Sequence, residues 1–387
     1  MFRIKTSYVF RYKSTKAVFV IKEETTINGL KTKEHIEEFE FGIYTLGDLS
    51  TDPVNGTSLS PRDRMKEIIE AAKLADEAGI NVFGVGEHHR LDFVVTSPPV
   101  VLAAIAQVTK QIRLTSATTV LGTSDPVRVF EDFSSLDLLS DGRAEMIAGR
   151  GAYVESFPLF GYDLGDYKEL FYEKINLLLK LNETERMTWS GRFRSALNDA
   201  EIAPRPLQAR LPVWIGVGGT PQSAELAGSL GAGMALAILG GNPEYFKSLV
   251  DVYRTAGIQA GHKRDTLKVG ITSHGYIANT TEQAKDEYYP YYANYLHEFM
   301  GGKERGEKLS RERFEQLASP VNALAVGSPE LIVQKILAQH ELFGHTRFMA
   351  QFDIGGIPFS KVATSIELFA AKVMPVVRKE LAKKHSN

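Results

Sequence analysis

The chain has 387 residues, 43% of them hydrophobic and 24% charged, with a formal net charge of −2. That is the composition of a globular protein large enough for one big α/β domain or two ordinary ones, and its near-neutral charge leaves no basic footprint for nucleic acid. The absence of cysteine excludes disulfides, thiolate metal sites and a thiol nucleophile together, and no apolar run reaches the roughly 18 residues of a membrane-spanning helix.

Residues 1–38 stand apart. Arg3, Lys5, Arg11, Lys13, Lys16 and Lys22 come before the first acid, Glu23, and no long apolar segment follows them. A secretory signal is not expected, and the alternation in Ala17–Ile21 argues against an amphipathic presequence helix. The stretch is expected to be a poorly ordered N-terminal extension, ahead of a domain spanning 39–387.

From Phe39 a strand–helix alternation begins. Phe39–Leu46 reads as a strand, and Ser60-Pro61 opens a helix over Arg62–Ala78, with an N-cap followed by proline in the first turn and Gly79 as the stop. Ile80–Glu87 is the second strand and Ser97–Lys110 the second helix. Ile112–Leu121 and Pro126–Leu139 form the third unit, Arg143–Ala148 and Asp166–Leu181 the fourth. A polar interval, Asn182–Arg210, has the look of a hairpin-like insertion. The alternation resumes with Pro212–Val217, Ser223–Leu230, Gly233–Leu239, Pro243–Ala256 and the seventh strand, Leu267–Ala278. A second interval, Thr280–Leu324, precedes helix Pro329–Leu342, strand Thr346–Phe352 and a closing helix over Ser360–Lys384. Eight such units predict a (β/α)8 TIM barrel rather than a doubly wound sheet, with loop insertions after strand 4 and strand 7. Insertions of this kind gather over the active face and act as lids.

The second strand ends in Glu87-His88-His89-Arg90, at the strand end where parallel α/β proteins place their chemistry. Alternation along a regular strand would send only one of the two histidines into the barrel mouth, which favours a single acid–base histidine with Glu87 beside it over a dinuclear metal site. No metal is expected, because the other strand ends carry Ala117-Thr118-Thr119, Gly149-Arg150-Gly151, Gly218-Gly219-Thr220 and Asp353, a poor ligand set. The same ends suit a phosphate: Arg150 is a cation between two glycines, and Gly216–Thr220 leads straight into a helix N-terminus. The spacing is not the dinucleotide fingerprint, so no nicotinamide-binding unit is expected. Tyrosines 288, 289, 291, 292 and 295 are expected to pack a lid or an interface, and Asp137, Asp141 and Arg143 to tie a loop.

The order of Val85–His89, Leu114–Leu121, Asp125–Arg128 with Glu131-Asp132, Leu136–Arg143, Gly149–Gly151, Pro212–Ile215 with Gly218-Gly219, and the closing Leu368–Pro375 resembles the bacterial luciferase-like flavin-dependent monooxygenases, over roughly Phe39 to Leu381. The resemblance implies a barrel binding FMN in its mouth. It makes His88 the catalytic acid or base and Arg150 the phosphate-binding arginine, with Gly218, Gly219 and Thr220 on the backbone side of that phosphate. Ala117-Thr118 falls where such proteins carry a non-prolyl cis peptide at the flavin ring, with Tyr44 and Glu87 nearby. Reduced FMN would act as co-substrate with O2 and a small organic substrate, supplied by a separate flavin reductase. A cytoplasmic homodimer is the expected setting.

Departures from the light-emitting members are visible: Gly149 stands where the luciferase catalytic subunit has a cysteine, no tryptophan lies near Ile238, and Gly218-Gly219 replaces Glu-Ser. Light emission is not expected. Deazaflavin F420 is the alternative cofactor, with hydride transfer on the same barrel, and a non-catalytic flavin-binding protein is a further alternative.

Overall fold

Strand β1 (Glu40–Thr45) pairs with β2 (Val82–Val85) in parallel, and each following barrel strand adds on in parallel until the last returns to β1. This computed structural model describes residues 38–151, 153–299, 306 and 308–385. The expected N-terminal extension therefore lies outside the described residues, apart from Glu38.

After β1 and β2, the third barrel position is split into β3 (Arg113–Ser116) and β4 (Thr119–Val120), with a cis Ala117–Thr118 peptide between them. Strand β5 (Ala144–Gly149) is the fourth position. The hairpin β6 (Arg186–Trp189) and β7 (Leu197–Glu201) stands outside the barrel, in an antiparallel pair of its own. Strands β8 (Val213–Val217), β9 (Gly233–Ala237) and β10 (Val269–Ile277) continue the barrel. A short β11 (Ala325–Gly327) pairs with the far end of β10, and β12 (Arg347–Gln351) lies between β10 and β1. The β9–β10 pairing completes the ring, so the eight-stranded parallel barrel is closed.

Helices fill the outside. Helix α1 (Pro61–Glu77) starts as its sequence demands: Ser60 Oγ accepts the Asp63 N–H at 3.1 Å, and Pro61 sits in the first turn, where no N–H is needed. Helices α2 (Pro98–Ala106) and α3 (Pro126–Leu139) follow, α3 capped by Asp125. Next come the short α4 (Ser156–Leu159), then α5 (Tyr167–Leu181), α6 (Pro221–Ser229), α7 (Lys247–Gln259) and the long α8 (Thr281–Phe299). Helices α9 (Arg311–Leu317), α10 (Pro329–Phe343), α11 (Phe359–Leu368) and α12 (Met374–His385) complete the chain, with one π-helical turn, Phe369–Val373, between the last two.

The main apolar core lies between barrel and helices, while two smaller clusters, Tyr44–Val82–Met349 and Ile147–Trp214–Ala235, stand apart from it. Close to the N-terminal ends of the strands, Arg347 makes a two-pronged pair with Glu145 at 2.5 and 3.0 Å and lies 4.2 Å from the Trp214 ring centre. Burial pushes the Glu145 carboxyl up, but Arg347 and Arg113 outweigh it and hold the group below its ordinary range.

The two insertions behave differently. The hairpin-bearing 182–210 segment connects α5 to β8, so its two ends lie on the N-terminal face, while its tip runs back along α5: Arg192 donates to Asp166 at 2.9 Å and Arg194 to Asp125 at 3.1 Å, at the N-terminal ends of α5 and α3. Gln208 donates to Asp137 Oδ1 and to the carbonyl of Ala144, the first residue of β5, both at 2.7 Å. Strand direction alone puts its two ends away from the active face. The segment after β10 does reach it. Tyr292 donates to the Leu239 carbonyl just beyond β9, and Asn294 to the Gly355 carbonyl beyond β12. Four of the five tyrosines of α8 are core rather than lid surface: Tyr288, Tyr291, Tyr292 and Tyr295 are buried, Tyr289 is half-buried, and Tyr288 stacks on Tyr276 with ring centres 5.4 Å apart. Asp137 and Arg143 tie the turn around 140–144 through Ala144, Ser140 and Thr109, as their loop-tying reading required.

Candidate active site at the barrel mouth

Strand β2 stops at Val85, so strand alternation no longer governs the four polar residues that follow Gly86. Both histidines are largely buried, and they go to different partners. His88 packs against Phe93, with ring centres 4.3 Å apart, and against Tyr153 at 4.9 Å; its Nδ1 lies 3.9 Å from Glu155 Oε1. Burial, then the Arg90 cation and His89, push the imidazole down to about 4, so it is neutral at pH 7. Neutral imidazole offers one donor and one acceptor, the form needed to move a proton either way.

Glu87 does not set the environment of His88. Its Oε1 lies 2.9 Å from His89 Nε2, and its Oε2 accepts the Val120 N–H at 2.9 Å. Both carboxylate oxygens are thus engaged within the protein. Their visible work is to fasten β4, immediately after the cis peptide, to the end of β2.

Tyr44 is buried beside Ala117, Val82 and Met349, and burial followed by the charge of Asp353 raises its phenol well above the ordinary tyrosine range. Thr118 turns towards β5 and β8. A Cβ placed on Gly149 would stand 2.6 Å from Thr118 Oγ1, and one on Gly216 would stand 3.2 Å from Thr118 Cγ2. Gly84 likewise leaves room for Tyr44 and Ala117, since a Cβ there would lie within 3.0 Å of both side chains. Glycines at three strands thus let Tyr44, Ala117 and Thr118 settle against the barrel.

Arg150 comes off the end of β5 and reaches the start of α6. Its Nη2 donates to Ser223 Oγ at 2.7 Å and to Thr220 Oγ1 at 3.2 Å, the two hydroxyls are 2.8 Å apart, and the Tyr167 ring lies under the guanidinium at 5.2 Å. Thr220 occupies the N-cap of α6, yet its side chain caps no backbone N–H. Open space stands over Gly218 and Gly219, with no atom within 4 Å of where a Cβ would be, and Gly219 has φ +129°. A cation, two hydroxyls, a helix N-terminus and an empty glycine cradle fit a phosphate group. Among the described residues no group of three or more histidine or carboxylate side chains is placed to hold a metal ion.

Sequence reasoning missed Ser223, Tyr167, Glu155 and Tyr153. Ser223 had a signal, a hydroxyl three residues after the N-cap Thr220 in a helix entered from a glycine pair. Glu155 and Tyr153 lie in the irregular stretch after β5, where no periodicity says which way a side chain points.

The luciferase-like monooxygenase profile matches residues 39–346, the barrel from its first strand almost to its last. The chain belongs to the luciferase-like monooxygenase family. Among relatives of this luciferase-like chain is the alkanal monooxygenase alpha chain of the Kryptophanaron alfredi symbiont. The two are 24% identical over 347 residues, covering 83% of this chain and 95% of that one. The FMN complex of the oxygenating constituent of a Pseudomonas putida 3,6-diketocamphane monooxygenase superposes with a TM-score of 0.71 at 20% identity, covering 87% of this chain and 98% of that one. An F420-dependent secondary alcohol dehydrogenase bound to an F420–acetone adduct gives 0.69 at 16% identity, covering 88% and 99%. The two structural likenesses show the luciferase-like barrel itself, which enzymes of both cofactor types share.

Proposed function

We propose that the chain is the oxygenase of a two-component flavin monooxygenase, working on FMN reduced by a separate reductase. The reading rests on one arrangement above all: Arg150, Thr220 and Ser223 converge beside the open Gly218-Gly219 turn at the N-terminus of α6. In this reading Arg150 and the two hydroxyls hold the FMN phosphate, and the backbone of Gly218 and Gly219 lets it approach closely. Tyr44 and the Ala117–Thr118 peptide border the flavin ring, and Glu87 keeps that peptide in place through Val120.

When bound, reduced FMN supplies the electrons that activate O2 for transfer of one oxygen atom to a small organic substrate. His88 serves as the acid–base group, being neutral and enclosed by Phe93 and Tyr153. Phe299 packs on Phe93 with ring centres 5.1 Å apart and extends the apolar enclosure that keeps water from His88. A cytoplasmic homodimer belongs to the same reading. No helix among the described residues is long and apolar enough to cross a membrane.

The test is anaerobic titration with oxidised FMN, reduced FMN and F420, followed by admission of air. Preferential binding of reduced FMN with oxygen-dependent turnover of a supplied substrate is the expected result. A preference for F420 would keep the phosphate cradle and replace oxygen transfer by hydride transfer. Binding of neither would overturn the proposal.

A further inference from the structure

Three carboxylates flank the His88–His89 pair, and two of them are spent. Asp92 takes the Arg90 guanidinium in a two-pronged pair at 2.9 and 2.5 Å. Glu87 is used by His89 Nε2 and the Val120 N–H, each at 2.9 Å. The third, Glu155, has a single hydrogen bond among the described residues, a weak one from the His89 backbone N–H to its Oε1 at 3.4 Å. The same oxygen lies 3.9 Å from His88 Nδ1, with the His88 side chain 8% exposed and that of Glu155 23%.

Glu155 is held there by its loop. The stretch that follows Arg150 is tied at two points: Tyr167 Oη donates to the Gly151 carbonyl at 3.1 Å, and Tyr153 Oη to the Phe299 carbonyl, at the end of α8, at 2.8 Å. Tyr153 also packs its ring on His88. The imidazole, for its part, is open to a partner. His274 Nδ1 and both ring nitrogens of His345 are sealed from solvent and unpartnered, whereas neither nitrogen of His88 is sealed in that way. A neutral imidazole has one N–H and one lone pair, and the partner of one nitrogen decides which of the two carries the proton. A carboxylate can only accept, so Glu155 favours the proton on Nδ1. At 3.9 Å the contact is longer than a hydrogen bond; catalytic contacts of this kind are commonly long at rest and tighten in the reacting complex.

We propose that Glu155 is the positioning residue of His88: its carboxylate accepts the Nδ1–H, fixes the tautomer and leaves the Nε2 lone pair to take up a proton. The proposal rests on His88 being the acid–base group of the reading above, and it adds the group that orients that base. Neither of the other two carboxylates is free for the role, since Asp92 is clamped by Arg90 and Glu87 serves His89 and Val120. When Nε2 is protonated the ring becomes a cation, which the Arg90 and His89 charges disfavour and Asp92 favours. The Glu155 charge joins Asp92 in favouring it, from the Nδ1 side. Glu87 and Glu155 thus divide two tasks at one strand end, the first fastening the backbone and the second orienting the ring.

The experiment is NMR of the full chain labelled with ¹⁵N-histidine, at pH 7.5 and without added flavin. Long-range ¹H–¹⁵N spectra show which ring nitrogen carries the proton, and the His88→Ala spectrum identifies the His88 signals. The wild type should hold the proton on Nδ1 over Nε2 by at least about 10-fold, which one hydrogen bond to a charged group supplies. Glu155→Ala should lower that ratio by about 10-fold or more. Glu155→Gln keeps an acceptor for the His89 N–H but loses the charge, and should lower it by about 3-fold. A purely structural Glu155 would change thermal stability and leave the ratio where it was. A wild-type proton on Nε2, or the wild-type ratio in both variants, would overturn the proposal. The wild-type spectrum needs no variant, so the test survives poor folding of Glu155→Ala. FMN titration of the same samples tests the cofactor reading separately: absence of FMN binding would strike that reading and leave the tautomer result standing.

Discussion

The carboxylate of Glu87 lies 2.9 Å from Nε2 of His89, not against the neighbouring His88, and its other oxygen holds the backbone of Val120. One buried side chain therefore joins the end of β2 to β4 across the third barrel position. Replacing Glu87 by Ala leaves the Val120 N–H and the His89 ring unpaired, and should lower stability by about 1–3 kcal/mol. Glu87→Gln keeps an acceptor for Val120 and should lose less than half of that. Urea unfolding of the three proteins measures both; equal stability of wild type and Glu87→Ala would remove the fastening role.

Arg150 makes its contacts through hydroxyls that a phosphate would also use. Arg150→Ala should weaken FMN binding by about 10- to 100-fold, the equivalent of roughly 1.5–3 kcal/mol for hydrogen bonds to a charged group. Riboflavin lacks the phosphate, so its affinity should change little. Parallel titrations with FMN and riboflavin distinguish the two effects, and an equal loss for both would point to collapse of the ring site instead.

His88→Ala should leave FMN affinity within about 3-fold of wild type while slowing turnover by about 10²- to 10⁴-fold, the range of a lost acid–base group. Turnover at the wild-type rate would dismiss His88 as that group. His89→Ala, by contrast, should act through stability, since His89 is tied to Glu87.

Gly149 cannot accept a side chain unless Thr118 moves, because a Cβ would stand 2.6 Å from Thr118 Oγ1. Gly149→Cys should cost about 1–3 kcal/mol, the usual range for overpacking a well-filled site. Adding Thr118→Ala should recover much of the loss. A double-mutant cycle by thermal or urea unfolding measures the coupling, and strict additivity would refute the contact.

Acid should weaken the fold before its carboxylates titrate. Burial holds His88 and His274 down to about 4 and His345 to about 3, against an ordinary value near 6.5. Between these values the unfolded chain carries the protons and the folded chain does not, so stability falls as pH drops below about 6.5. Asp48, pushed up to about 6, works in the opposite sense between about 6 and its ordinary 3.8. Three histidines against one carboxylate leave about two protons taken up on unfolding near pH 5. The expected slope is about 2–3 kcal/mol per pH unit. Stability that stayed flat from pH 6.5 to 5 would show that these rings are hydrated and free to titrate.

How much of this was legible beforehand depends on whether a residue's partners are near it in the chain. The eight units could be read because helix starts such as Ser60-Pro61 and Asp125-Pro126 and stops such as Gly79 are local chemistry, and the TIM barrel follows from their strict alternation. Boundaries failed where local signals ran through a break. Ile112–Leu121 reads as one strand, but it is two, parted at Ala117–Thr118. Ile80–Glu87 reads as a strand through its last residue, but β2 ends at Val85, and with it ended the alternation argument about the histidines. The interval after β10 hides a 19-residue helix, α8, because tyrosines and an internal Pro290 blur its periodicity.

By itself, the sequence determined which residues are chemically able to act: an arginine between glycines, a glycine pair before a helix, and two histidines after a carboxylate at a strand end. It determined the barrel too, since period and capping are properties of neighbouring residues. The tertiary structure decided the pairings. It joined Arg150 to Ser223, 73 positions away, gave Glu87 to His89 and Val120, set Glu155 near His88, and brought the tip of the 182–210 insertion back to Asp125 and Asp166. Those choices depend on barrel closure, which brings distant strand ends within hydrogen-bonding reach, and no local pattern encodes a distance between residues so far apart in the chain.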